Sequence, residues 1–172
     1  MLRLFMLHAM KRILFRVFIA VSGAVVLVAA LLYFRRVHAE HAFSRDLASA
    51  VHSAQTTVHL RSISSPAWER VYIFGPYTYP DQISSELGFA WSGSAVDTIQ
   101  NSDGANLLVF VRQQHVVMSV LHPRNHGDFV PDSVGHNYSR DDAEFSIVRR
   151  PQDNWLLLKP VPNLRRTPNF SR

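Results

Sequence analysis

The chain contains no cysteine. That absence excludes disulfide bracing, a lipid-modified cysteine anchor, thiolate chemistry and cysteine-ligated zinc, while leaving the redox state of the compartment open. Glycine is sparse, at seven residues, and no glycine-rich loop is present to cradle a phosphate. There is no Gly-x-Ser-x-Gly elbow and no His-Glu-x-x-His pair, so the local signatures of an α/β-hydrolase and a zinc protease are both missing. The first 36 residues hold no Asp or Glu, and Val17 to Phe34 carries no formal charge. No internal repeat or low-complexity block occurs.

That uncharged run, VFIAVSGAVVLVAALLYF, is the strongest signal present. As a helix rising about 1.5 Å per residue it covers roughly 27 Å, close to a hydrocarbon core of about 30 Å, and Arg16 and Arg35 can snorkel across the remainder. The reading is a single membrane-spanning helix. Arg3, Lys11, Arg12 and Arg16 precede it, against Arg35, Arg36 and Arg45 beyond it, which favours a cytoplasmic amino terminus and an exported domain at an inner membrane. A cleaved signal peptide is the alternative, with Val37-His38-Ala39 or Val28-Ala29-Ala30 as its small-residue site. The length of the run and the Arg35-Arg36 pair argue for a retained anchor.

The net charge of +5 suggests nucleic acid until it is located. Residues 1–36 supply six of the 18 basic groups, leaving 12 basic against 13 acidic in residues 37–172. The basicity belongs largely to the membrane flanks, and no nucleic-acid footprint remains. The tail, KPVPNLRRTPNFSR, gathers four further basic residues and three prolines, which reads as an extended, mobile segment able to meet an acidic partner or anionic lipid.

Beyond the anchor, Phe43, Leu47, Val51, Ala54 and Val58 recur at helical spacing, predicting a helix from about Ala39 to about Leu60. Its apolar stripe has two outlets, the chain's own domain or a second copy. Ser62-Ile63-Ser64-Ser65-Pro66 breaks the pattern. Val71 to Phe74 then reads as a strand stopped by Gly75-Pro76, and a short helix follows in which Thr78 caps against Asp81, Ile83 and Leu87 face inward, and Gly88 terminates. Leu107 to Arg112 with His115 to Leu121, and Glu144 to Arg149 with Trp155 to Lys159, predict two hairpins. The expected fold class is α+β, an antiparallel sheet with one or two helices. The domain layout is a basic amino terminus (1–16), a membrane helix (17–34), a helical stalk (35–62), a compact domain (63–159) and a basic tail (160–172).

Three constellations carry chemistry. The segment His122 to His136 places His122, His126, Asp128 and His136 in one polar stretch, residue types that suit a borderline divalent metal. Its spacing matches no established metal motif, and Pro123 and Gly127 oppose a helix that would align the first two; the competing reading is a solvent-facing loop with Arg124 paired to Asp128. Asp141, Asp142 and Glu144 form an acidic turn without the interleaved ligands of a calcium loop. Trp68, Tyr72, Phe74, Tyr77, Tyr79, Phe89 and Trp91 crowd aromatic area into 24 residues. Of these, Trp68, Tyr72, Phe74, Tyr77, Tyr79 and Trp91 are the candidate binding residues, with core packing as the competing use.

The run from Trp68 through Val71 to Thr78, then Ile83, Leu87-Gly88-Phe89 and Trp91, then Asp103-Gly104-Ala105-Asn106 through Val111, resembles small bacterial membrane-anchored or lipoprotein-like proteins of unknown function. The resemblance covers about residues 68–128. It implies an envelope protein and brings no catalytic residue with it. This chain departs from the lipid-anchored pattern in having no cysteine. The functional expectation is a membrane-anchored, non-enzymatic binding or assembly factor without a cofactor. Its partners are the lipid bilayer, an envelope protein and, through the stalk, a second copy. A metal-assisted hydrolase built on the 122–136 loop is the alternative.

Overall fold

The computed structural model describes residues 2–54, 56–63 and 65–162, with burial given for Phe18 and from residue 21 onward. The expectation for the basic tail beyond Pro162 falls outside the described residues. The chain divides into two compact units, Met1–His38 and Ala39–Arg172. Helix α1 (Leu2–Ser53) forms the first, and its final turns open the second. Among the described residues α1 is the one helix long and apolar enough to cross a membrane, and none of its apolar window is buried in protein. Phe18, Val25, Val26, Leu32 and Phe34 are all exposed.

The second unit is α+β. After α1 come strand β1 (Thr57–His59), strand β2 (Arg70–Phe74), helices α2 (Pro80–Leu87) and α3 (Ser94–Ile99), and strands β3 (Ala105–Arg112) and β4 (His115–Pro123). Four strands follow, β5 (Asp128–Phe129), β6 (His136–Ser139), β7 (Glu144–Arg149) and β8 (Leu156–Pro160). The single expected sheet is in fact two. One has the order β4-β3-β2-β6 and is antiparallel throughout; the other has the order β1-β7-β8-β5, antiparallel except where β5 runs parallel to β8.

Alternation explains the layers. Val71, Ile73, Leu108, Phe110, Met118 and Val120 point to a core shared with the second sheet and with Phe43, Leu47 and Val51 of α1. Phe74, Leu107, Val109 and Val111 point the other way, where Ile83, Leu87, Val96 and Ile99 of α2 and α3 cover them. Because both faces are covered, the middle of β3 reads as an unbroken apolar run rather than as an alternating one.

Helix α1 stops at Ser53, short of the expected Leu60. Val58 instead enters β1 opposite Phe145 of β7, so sheet pairing takes a residue that helical spacing had claimed. The apolar stripe has a single outlet here. Phe43 and Leu47 are fully buried in the chain's own core, so this part of the supposed stalk belongs to the domain and those side chains are unavailable to a partner helix. The core therefore begins well before the Ser62–Pro66 break.

Helix α2 starts one residue later than the capping pattern implied. The Tyr79 backbone N–H donates to Gln82 Oε1 (3.1 Å), while the Thr78 hydroxyl donates back to the Gly75 carbonyl (2.7 Å) and closes the preceding turn. Gly88 ends the helix in the left-handed region (φ 75), as predicted. The β3–β4 hairpin turns on Gln113 (φ 48) and Gln114 (φ 60), two left-handed residues whose twist matches the strands.

Candidate functional site

The six aromatic candidates divide between core and surface. Trp68 is buried, its ring 5.2 Å from that of Phe110 and its indole N–H donating to Ser65 Oγ, and Phe74 is buried beneath α2 and α3. Both side chains contribute to the core, and Phe74 also reaches the lining of a cleft. Tyr72 and Trp91 are half-buried against the same helical layer, Tyr72 stacked on Phe74 at 6.4 Å. Tyr77 and Tyr79 alone of the six are exposed, at 56% and 62%.

Their display has a local cause. Tyr77 holds a left-handed backbone (φ 61), a conformation that costs a bulky L-residue about 1–2 kcal/mol. Its N–H donates to the Ile99 carbonyl (2.9 Å), tying the turn to the end of α3. Pro76 and Pro80 stiffen either side. Thr78, between the two tyrosines in the chain, lines a cleft of about 480 Å³ with Phe74, Asp81, Gln82, Glu86 and Val134 among others.

The His and Asp candidates do not converge. His122 lies on β4 and His136 on β6, at opposite edges of a four-stranded sheet and so separated by three strand spacings, about 14 Å. His136 lines a second cleft with Asp132, Tyr138 and Asp142. His126 is exposed, its ring centroid 6.0 Å from that of His52. Among the described residues no three His, Asp or Glu side chains gather as a metal would need. Asp141 and Glu144 of the acidic turn meet Arg61 (3.1 Å) and His59 (3.5 Å) respectively.

His122 and Asp128 instead enter a buried polar cluster. Asp128 receives both Arg124 Nε–H and Nη2–H at 2.7 Å, Asn106 Nδ2–H at 3.1 Å and the Trp155 indole N–H at 3.3 Å. The Asp128 bond holds the Arg124 guanidinium pKa above its ordinary value. The pairing of Arg124 with Asp128 was legible in the sequence; the donation from Asn106 and Trp155 was not. Asn106 stands opposite His122 across β3 and β4, and both are fully buried. His122 Nδ1 is 3.3 Å from Ser44 Oγ on α1, while Asn106 Oδ1 and His122 Nε2 have no hydrogen-bond partner among the described residues. Gly127 (φ 133) allows this corner to close, since a Cβ there would sit 3.2 Å from Val51 and 3.3 Å from Leu158.

The cluster is suited to fastening α1 against the sheet rather than to catalysis. Burial lowers the His122 pKa to about 4, with the His126 charge adding to the effect and the His126 backbone and Asp128 opposing it. A general base needs a pKa near the working pH and access to substrate. His122 has neither. Ser44, Asn106 and Trp155 were missed from the sequence, although one signal was there: Asn106 interrupts an apolar strand at a position in phase with Leu108 and Phe110. No family model, curated protein or solved structure matches the chain.

Proposed function

We propose that this is a single-pass membrane-anchored protein of a bacterial envelope whose carboxy-terminal domain acts by binding, through the face that carries Tyr77 and Tyr79. The observation that carries the reading is their display: two large aromatic side chains stand exposed on either side of Thr78, which lines a cleft, one of them on backbone that only a firmly held turn sustains. Tyrosine combines apolar area with a polar edge and few rotamers to lose, which suits it to contact surfaces. The excess of basic residues before the anchor supports a cytoplasmic amino terminus with the domain on the opposite side. The buried cluster at His122 joins the last turns of α1, through Ser44, to the sheet within the domain.

A photocrosslinking residue at position 79 tests the surface in intact cells. It should give a discrete adduct that Tyr77→Ala removes while thermal stability stays unchanged; the absence of any adduct would remove this face from consideration. Because the chain has no cysteine, a single Ser102→Cys reports orientation through labelling by a membrane-impermeant maleimide. Labelling only after the membrane is breached on the cytoplasmic side would reverse the assigned topology.

A further inference from the structure

Charge is distributed unevenly around the tyrosine face. Residues 71–111, which include α2 and α3, hold Asp81, Glu86, Asp97 and Asp103 and no Lys, Arg or His, in a chain with 18 Lys and Arg and nine His. Several acids elsewhere have cationic partners: Glu69 meets Arg112, Asp128 meets Arg124, Asp141 meets Arg61 and Asp153 meets Arg150. Among the described residues, Asp81, Glu86 and Asp97 have none. All three are exposed, and Asp81 and Glu86 line the cleft to which Thr78, between Tyr77 and Tyr79 in the chain, also contributes. Unpaired carboxylates with electron-rich rings nearby attract cations by two routes, ion pairing and contact with the aromatic face. The same carboxylates repel anionic headgroups and nucleic acid.

We propose that the α2 face is a docking site for a cationic, extended segment of a partner polypeptide, with Lys or Arg side chains against Asp81 and Glu86 and their stems along Tyr77 and Tyr79. This rests on the reading of that face as the binding surface and adds the chemistry of the occupant. The cleft, at about 480 Å³, matches a few side chains of an extended strand rather than a folded domain. Because the carboxylates are exposed, the interaction is screened by salt and gains rate as well as affinity from the surrounding negative field.

The test uses the full chain in neutral detergent micelles and two fluorescein-labelled peptides of about ten residues, identical except that four Arg in one are Gln in the other. Anisotropy should rise with the Arg peptide alone. Its affinity should fall at least tenfold in Asp81→Asn/Glu86→Gln, whose unchanged melting temperature confirms folding, and by a similar factor when salt rises from about 0.05 M to about 0.5 M. Equal binding of the Gln peptide, or indifference to the two substitutions, would overturn the proposal. Deleting residues 163–172 should leave the affinity as it was. A tenfold rise on that deletion would make the chain's own basic tail the occupant and overturn the assignment to a partner. Adduct formation at position 79 that persists while the Arg peptide is ignored would sink the cationic chemistry and leave the binding face standing.

Discussion

The two faces of the β4-β3-β2-β6 sheet come from the same alternating strands yet treat polar groups in opposite ways. On the inner face, Asn106 and His122 are fully buried, and Asp128 is tied to Arg124, Asn106 and Trp155 beside them. On the outer face, the covering helices turn every acid outward and hold two tyrosines in solvent. One side uses polarity to join elements, and the other leaves it available to a partner. Changes to the polar groups of the inner face should therefore cost stability, and changes to the exposed acids of the outer face should cost recognition.

The sharpest way to break that contrast is Leu47→Asp, which puts an unpaired carboxylate into a fully buried site. The cost, on the order of 5 kcal/mol, is comparable with the whole stability of a small domain. Near-UV circular dichroism and limited proteolysis should report loss of the packed domain while α1 stays helical in the membrane. Next in size, Asp128→Ala leaves the buried Asn106 amide and the Trp155 indole without their acceptor and the one-third exposed Arg124 guanidinium to water, and should cost about 2–3 kcal/mol in denaturant unfolding. A loss below about 1 kcal/mol would mean that water replaces the carboxylate and that the cluster is not a fastener.

The pH dependence separates the faces without mutation. His122 titrates at about 4 in the folded state against 6.5 ordinarily, so between those values the unfolded chain binds the proton first. The stability due to neutral His122 is complete above about pH 6.5, falls as pH falls, and is fully lost below about 4, amounting to roughly 3 kcal/mol. Urea titrations across that window should show the slope, and His122→Asn should flatten it. The smallest expected effect lies on the outer face. Tyr77→Gly relieves a left-handed tyrosine and should raise stability by about 1 kcal/mol while abolishing crosslinking from position 79. A loss of stability would show that Tyr77 supports the fold rather than serving a partner.

The limits of the sequence follow the same division. Local rules located β2, both hairpins, α2 with its Gly88 terminator, and the exposure of Tyr77 and Tyr79 on a turn between prolines. They failed wherever a partner element decided the outcome. Helical spacing carried α1 through Val58, and only the position of Phe145 shows why that residue is in a strand. Proximity along the chain joined His122 to His136 in one constellation, and the strand order separated them. Ser44 is 78 residues from His122, so no local pattern announced their contact.

By itself the sequence determined the apolar segment, the basic flanks and the acidic character of residues 71–111, because composition and charge survive any arrangement of the chain. Only the tertiary structure decided which aromatic residues face solvent, which polar residues share a buried cluster, and that the last turns of α1 are part of the domain core. Those outcomes depend on which surfaces meet, and burial is a property of the packed pair rather than of either segment.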